Sequence, residues 1–259
     1  MDTIFHHPRA HEPALFSPQD TTPPVEHFPR VCVSTFSKPI IDKFASMEKT
    51  HQIATLYCAN GAVPVYQTDY CQTAIAFYQS PVGAPACVSF FEEAVAMGAK
   101  AFVLFGSCGM LDEEKTKDKI IVPTAAVRDE GVSYHYREPS PEIQADSAMT
   151  RILTETLGQC GFDYVEGKTW TTDAIYRETI PAIRQRKSEG CLAVEMECAS
   201  MFAVSQYRKI PFIQFLYGAD SLASEIWEPR DLNLCGLNHA EKYMALAFEC
   251  ALRLEELVR

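Results

Sequence analysis

Two carboxylates, Glu195 and Glu197, stand directly after the apolar run 192–194 and before a helical pattern. A strand that enters a protein core rarely ends on acids without a partner, because burying an unpaired carboxylate costs several kcal/mol. A vicinal diol, such as the 2′,3′-hydroxyls of a ribose, is one such partner, since one carboxylate accepts two hydrogen bonds from it at about 1.5–3 kcal/mol each. The alternative is a solvated acid at a helix start, where the macrodipole favours negative charge.

A stretch of small residues follows the apolar run 101–105. Its members are Gly106, Ser107, Cys108 and Gly109. In open α/β sheets ligands bind at the carboxyl ends of strands, and small residues let backbone N–H groups approach an anion closely. The stretch therefore predicts an anion-binding turn, and an ordinary tight turn is the alternative.

A polar and aromatic segment, 128–136, follows the predicted strand at 120–123. Its aromatic rings could stack on a flat heterocycle, and Arg128 could meet an anion. The alternative is a structured surface loop.

A second segment of mixed character joins a predicted strand to a predicted helix. It combines the polar residues Thr172 and Asp173 with Ile175 and Tyr176. Hydrogen-bonding groups beside apolar and aromatic groups are typical of a pocket for a heterocyclic base. Thr172 and Asp173 could equally serve as helix caps.

Asp220 stands just past the end of the apolar run 212–217. If the strand ends share one edge, its carboxyl lies near Glu197, where it could act as a general acid. A helix N-cap is the alternative role for Asp220. Trp227 and Arg230 follow closely in sequence, so they either line the same site or belong to a surface loop.

The elements that must position these residues alternate between strands and helices. Eight strands are predicted from apolar runs rich in β-branched and aromatic residues, namely Val31–Thr35, Ile53–Tyr57, Ala74–Tyr78, Ala101–Phe105, Ile120–Pro123, Val165–Thr171, Leu192–Glu195 and Phe212–Tyr217. Helices are predicted from Pro85 to about Gly98 and over Ser147–Cys160, Glu178–Lys187, Glu197–Tyr207 and Leu237–Leu257. This order indicates one α/β domain over residues 31–259 with helices on both sheet faces, preceded by a Pro-rich extension over residues 1–30.

Composition limits the class of protein. The chain has 259 residues and a formal net charge of −11, which argues against the basic face of a nucleic-acid-binding protein. The ten cysteines show no metal-ligand spacing, so they are interpreted as reduced core residues. No apolar run approaches the roughly 18 residues of a membrane span. We therefore expect a cytoplasmic protein with no membrane partner.

The order of these motifs resembles the nucleoside phosphorylase family of purine nucleoside phosphorylases, uridine phosphorylases and related nucleosidases. The resemblance covers about residues 30–257 and rests on Val194–Glu197, Gly106–Gly109, Arg128–Gly131, Thr172–Asp173 and Ala219–Asp220. It implies a three-layer α/β/α sandwich around a mixed, partly barrel-like central sheet. It also implies a homo-oligomer, dimeric or hexameric.

The resemblance also implies a role for each candidate residue. Ribose is expected at Glu197, Met196 and Glu195, and phosphate at Gly106, Ser107, Cys108, Gly109 and Arg128. The base is expected at Thr172, Asp173, Ile175 and Tyr176. Asp220 corresponds to the acid that protonates a purine, and Arg230 is expected to tune it.

Three departures from the family pattern bear on substrate and acceptor. The Gly-Asp-Pro-x-Arg turn after the first strand is replaced by Thr35–Pro39, and Leu104 stands where a second phosphate-binding arginine is usual. The base-reading Gln and Arg of the uridine branch are replaced by Thr179 and Pro181. Lys38, Arg128, Arg177 or a neighbouring subunit could supply the missing positive charge.

The expected function is phosphorolysis of a nucleoside, with a purine favoured, to give free base and pentose 1-phosphate. Inorganic phosphate is then a co-substrate, and no cofactor or metal is expected. Hydrolysis by water, as in the nucleosidases, and nucleoside binding without turnover are the alternatives.

Overall fold

The computed structural model describes Phe5 and residues 11–224, 226–230 and 240–259. Within these residues ten strands join in one mixed sheet. The strands are β1 (Val31–Thr35), β2 (His51–Cys58), β3 (Gly61–Tyr70), β4 (Thr73–Gln79), β5 (Ala101–Met110), β6 (Ile120–Asp129), β7 (Glu142–Gln144), β8 (Tyr164–Thr172), β9 (Cys191–Glu195) and β10 (Phe212–Ser221). The described helices are α1 (Pro18–Thr21), α2 (Lys38–Ala45), α3 (Ala84–Met97), α4 (Glu113–Thr116), α5 (Ser147–Cys160), α6 (Ile180–Ser188), α7 (Cys198–Arg208) and α8 (Ala240–Val258).

Five strands close into a barrel in the order β10, β6, β8, β9 and β5, because β5 also pairs with β10. Apolar residues from all five strands pack together and fill its interior, namely Cys108, Ile121, Val165, Ala193 and Leu216. From β5 the sheet continues outward through β1, β4, β3 and β2. The predicted mixed, partly barrel-like sheet is confirmed.

Two large apolar clusters lie on opposite sides of the sheet. One packs α2, α5 and α8 against the strands, and the other packs α3 and α7. Alternate residues of β1 separate between them, with Val31 and Val33 in the first cluster and Cys32 in the second, because successive side chains of a strand point to opposite faces. The predicted three-layer sandwich is therefore confirmed.

Five described elements were not predicted from the sequence, namely α1, α2, α4, β3 and β7. The strand β3 is mostly exposed or half-buried and contains Pro64, which is unusual in a sheet interior, so its pattern does not indicate a strand. The helix α2 has Pro39 in its first turn, where the missing N–H costs nothing.

The predicted helix at 178 begins instead at Ile180, because Thr179 caps it by accepting a hydrogen bond from the Ala182 N–H at 3.4 Å. Residues 237–239 of the last predicted helix lie outside the described residues.

The described part of the N-terminal segment runs along the body of the domain. Val25 N–H donates to the Met97 carbonyl at 2.9 Å, and Phe28 is buried against the α3 cluster. Phe5 places its ring edge-on to Tyr134 at 4.8 Å. The segment therefore contributes packing to the fold.

The cysteines only partly match the expectation of core residues. Cys58, Cys71 and Cys160 are exposed, whereas the other six free cysteines in the described part of the chain are buried. Cys235 lies outside the described residues. Among the described helices, none has the length and apolar composition needed to cross a bilayer.

Candidate active site

Three neighbouring strands meet at Gly109 of β5. Gly109 pairs with Val194 of β9 on one side and with Asp220 of β10 on the other. A Cβ atom placed on Gly109 would lie 3.0 Å from Val194 Cγ1 and 3.5 Å from Asp220 Oδ1. Because Glu195 and Glu197 follow Val194 directly, closure of the barrel brings the paired acids and Asp220 to one edge.

Glu195 is occupied by the protein itself. Its Oε2 accepts hydrogen bonds from the N–H groups of Glu197 and Cys198 at 2.7 and 2.6 Å, and its Oε1 accepts from Thr171 Oγ1 at 2.6 Å. The carboxyl thus caps the N-terminus of α7, and burial raises its pKa to about 7. Glu195 holds the turn in place, a role different from the ribose contact that the resemblance implies.

Glu197 is the second acid of the turn, and only 4% of its surface is exposed. Its Oε1 accepts a hydrogen bond at 2.6 Å from the N–H of Gly83, the residue that precedes α3. Burial, and secondly the charge of Glu195, raise the pKa of Glu197 to about 8. The groups around this carboxyl therefore stabilise its ionised form poorly.

Asp220 is half-buried beside the indole of Trp227. Its Oδ2 accepts a hydrogen bond from Trp227 Nε1 at 2.8 Å. Burial raises the pKa of Asp220, and the Trp227 bond partly opposes that effect. Burial thus favours the protonated form of Asp220, whereas the Trp227 bond favours the ionised form.

Arg230 does not contact Asp220. Its guanidinium pairs with Glu113, which also accepts a hydrogen bond from Ser221 Oγ at 3.0 Å. The residue that touches Asp220 from this loop is Trp227, so the expectation that Arg230 tunes Asp220 finds no direct contact in the structure.

The stretch Gly106–Gly109 lies inside β5, which continues to Met110, so the predicted turn is wrong. Ser107 is exposed, whereas the Cys108 thiol is buried in the barrel and donates to the Tyr217 carbonyl at 3.5 Å. Gly106 lies against the ring of Phe36, whose Cδ2 would be 2.5 Å from a Cβ at that position. Ser107 is therefore the one side chain of this stretch that can reach an anion.

Arg128 is buried, and most of its donors are engaged within its own loop. Its Nε donates to Ser133 Oγ at 2.8 Å, and its Nη1 donates to the Glu138 carbonyl at 2.6 Å and Ser140 Oγ at 2.9 Å. The guanidinium also lies 4.0 Å from the centre of the Tyr134 ring. These contacts hold residues 128–140 together and take up most of the donors that the phosphate role requires.

Thr172 and Asp173 connect neighbouring segments at the end of β8. Thr172 is buried and its Oγ1 accepts from the Ala174 N–H at 3.3 Å, while Asp173 Oδ2 accepts from the Gly131 N–H at 3.1 Å. Asp173 thereby ties the loop after β8 to the loop after β6. Both side chains thus accept hydrogen bonds from backbone N–H groups.

Three further predicted residues differ in accessibility. Met196 is half-buried between β9 and α7. Ile175 and Tyr176 lie in a short 3₁₀ turn, Ile175–Arg177, and are 49% and 95% exposed. In a single chain Tyr176 therefore does not cover a pocket.

A cavity of about 350 Å³ borders Asp220 through Trp227. Its lining includes Glu178, which the sequence pattern did not predict as a site residue. Burial, and secondly the charge of Asp220, raise the pKa of Glu178 to about 7. The only signal for Glu178 was its position directly after the aromatic turn. Within the ranges that the structure describes, no three His, Cys, Asp or Glu side chains are grouped as metal ligands.

The fold and the acid-lined barrel edge define an α/β protein with a candidate small-molecule site. The family model described as the Phosphorylase superfamily matches residues 35–253. The chain therefore belongs to the Phosphorylase superfamily, and the resemblance to nucleoside phosphorylases is confirmed.

Individual relatives are distant. A guanosine phosphorylase of Halorubrum lacusprofundi is 25% identical over 58% of this chain and 63% of its own length. A uridine phosphorylase of Treponema pallidum is 22% identical over 56% of this chain and 60% of its own. The matched part thus spans less than two thirds of these curated relatives.

Solved structures show the same fold over most of the chain. A uridine phosphorylase from Vibrio fischeri superposes with a TM-score of 0.76 at 20% identity, covering 91% of this chain and 98% of its own. An AMP nucleosidase from Bacteroides thetaiotaomicron gives 0.70 at 19% identity, covering 88% and 90%.

Proposed function

We propose that this protein cleaves the N-glycosidic bond of a nucleoside, with a purine favoured, and transfers the pentose to inorganic phosphate. One observation carries the proposal: the turn containing Glu197 and the carboxyl of Asp220 converge on Gly109 at one edge of the barrel. One acid that can hold a diol and another that can donate a proton, at the ends of the two strands that flank β5, are the groups needed to bind a sugar and release its base. Membership of the Phosphorylase superfamily supports the reaction class.

In the proposed reaction the C1′–N bond breaks and its electron pair goes to the base. A phosphate oxygen forms the new bond to C1′, and the base takes its proton from Asp220. Glu197 accepts hydrogen bonds from the 2′- and 3′-hydroxyls, which orients the sugar while positive charge develops at C1′. Because these bonds favour the ionised carboxyl, we expect ribose binding to lower the pKa of Glu197 from about 8.

Hydrolysis is a second candidate, and specific contacts favour it. Lys38 is paired with Asp42 on the surface, and Arg128 is engaged by its own loop. Leu104 is buried in the core, and the Phe36 ring covers Gly106. A water acceptor needs none of the cations that a phosphate dianion requires. Phosphorolysis by this chain still needs a cation at the phosphate, from Arg177 or from a neighbouring subunit, and the first candidate includes a homo-oligomer as proposed from the family resemblance.

Base release from a panel of purine and pyrimidine nucleosides, measured with and without phosphate, tests both candidates. Phosphorolysis predicts release that depends on phosphate and yields pentose 1-phosphate. Hydrolysis predicts free pentose at the same rate without phosphate. Binding without release in either condition would refute both and leave a nucleoside-binding protein.

Asp220→Asn and Glu197→Gln separate the roles within the site. Loss of the acid at 220 lowers turnover, whereas loss of the carboxylate at 197 weakens nucleoside binding and turnover together. Arg253→Gln is a matched control, because Arg253 pairs with Glu155 on the helical face of the domain, away from the barrel edge. The proposed site would be contradicted if both site variants show the same turnover and nucleoside binding as Arg253→Gln.

A further inference from the structure

We infer that the cavity beside Asp220 is a subsite for an apolar, ring-sized substituent on the leaving base. The inference rests on the proposed function and specifies its substrate class: nucleosides whose base carries a bulky uncharged group. The cavity lies between α6 and the segment that follows β10. The residues that contact the sugar and donate the proton in the proposed reaction do not line this cavity.

The cavity walls are largely apolar. Ile180 and Ile183 of α6 face it from one side, and Leu222 and Trp227 face it from the other. Its volume is about 350 Å³, within the range of small-molecule sites. Aliphatic and indole surfaces of this kind bind a flat or branched hydrocarbon group, because burial removes its apolar surface from water.

The cavity adjoins the proposed position of the base through two of its wall residues. Trp227 lines the cavity and donates its Nε1–H to Asp220 at 2.8 Å. Leu222 lines it too, and its Cδ1 would be 2.5 Å from a Cβ on Gly109, where Asp220 Oδ1 would be 3.5 Å away. A base within proton-transfer distance of Asp220 therefore directs one of its edges toward these walls.

The polar groups at the cavity favour an uncharged substituent. Lys187 donates to the Ala223 carbonyl at 2.7 Å, so its ammonium group is engaged at the edge. Arg184 is exposed at the rim, and the half-buried Glu178 carboxyl lies near Asp220. The two cationic side chains therefore lie at the edge of the cavity, whereas an uncharged ring inside it meets the isoleucine and tryptophan surfaces.

The test compares adenosine with N6-benzyladenosine, which differ by one apolar ring. We expect kcat/KM to be roughly tenfold or more higher for the benzyl compound, the effect of a filled apolar pocket. Ile183→Trp and, independently, Ala223→Trp fill the cavity and should bring this ratio to about one. Gln185→Trp places the same ring on the exposed face of α6 and should keep the wild-type ratio.

A binding measurement keeps the inference testable without turnover. Isothermal titration calorimetry reports the affinities of the two nucleosides directly, and it applies equally to the three variants, each of which carries an added tryptophan. Suppose that no nucleoside is turned over, but that the wild type, unlike the two filling variants, binds the benzyl compound more tightly than adenosine. This result would refute the proposed function and support the subsite. The subsite would be overturned if the wild type turns over adenosine with a kcat/KM equal to or higher than that for the benzyl compound. It would also be overturned if neither filling variant changes the ratio of these two kcat/KM values.

Discussion

The substitution Glu197→Gln should make the unliganded protein more stable at alkaline pH. An unfolded glutamate loses its proton near its ordinary pKa of 4.5, whereas burial raises the pKa of folded Glu197 to about 8. Between these values the folded state binds more protons than the unfolded state, so the free energy of unfolding decreases as pH rises. Gln still accepts the hydrogen bond from the Gly83 N–H but cannot ionise.

The magnitude follows from the two pKa values. A difference of one in pKa corresponds to about 1.36 kcal/mol, so the change from 4.5 to about 8 sets a ceiling of about 5 kcal/mol. The neighbouring Glu195, whose pKa is raised to about 7, ionises over much of the same range, and the two carboxyls share this free energy. We expect the variant to recover about half of the ceiling, roughly 2–3 kcal/mol at pH 9.

Urea unfolding at pH 5 and pH 9 measures this effect for both proteins. Wild type and variant should differ little at pH 5, where folded Glu197 is still protonated. At pH 9 the variant should unfold with a larger free energy and a Tm higher by roughly 5–10 °C. Glu155→Gln is a suitable control on an exposed helix face. A stability difference that is the same at both pH values would refute the assignment of a buried, cation-free carboxyl to Glu197.

Three further substitutions test the site and its framework. Asp220→Asn should lower kcat roughly 10²–10⁴-fold with a purine nucleoside, the usual loss for a positioned acid, and undiminished turnover would remove Asp220 from the mechanism. Trp227→Phe removes the hydrogen bond that lowers the pKa of Asp220, so the alkaline limb of the kcat profile should move to higher pH; an unmoved limb would mean that another group is the acid. Gly106→Ala brings a methyl group against the Phe36 ring and should destabilise the fold by about 1–3 kcal/mol in urea unfolding. Adding Phe36→Leu should recover part of that loss, and no recovery would show that the clash lies elsewhere.

Short-range patterns were sufficient for most of the fold. Apolar runs located β1, β4, β9 and β10, and proline and glycine marked the ends of α3. The strand β3 escaped detection because its pairing partners, β2 and β4, support a half-exposed strand with a proline in it. Such support comes from neighbouring strands and leaves no periodic signal in the strand itself.

The sequence located some candidate site residues and misjudged others, because contacts with distant segments decide what each side chain can bind. Glu197 and Asp220 stand out as acids after apolar runs, and barrel closure brings their segments together. Arg128 offered the right charge, but its direction is decided by Ser133, Ser140 and the carbonyls of its own loop. A guanidinium that gives most of its donors to acceptors of its own loop has few left for an anion, and sequence does not reveal which acceptors surround it.

By itself, the sequence determined the layers of this protein and the positions of its acids, because hydrophobic periodicity and abrupt changes in polarity act over a few residues. Tertiary structure alone decided which of the paired acids, Glu195 or Glu197, remains available to contact a substrate. It assigned Glu195 to the cap of α7 and placed Glu197 opposite Gly83. It also formed the cavity that joins Glu178 to Trp227, residues 49 positions apart. These outcomes depend on contacts between distant segments, and only closure of the barrel fixes their distances.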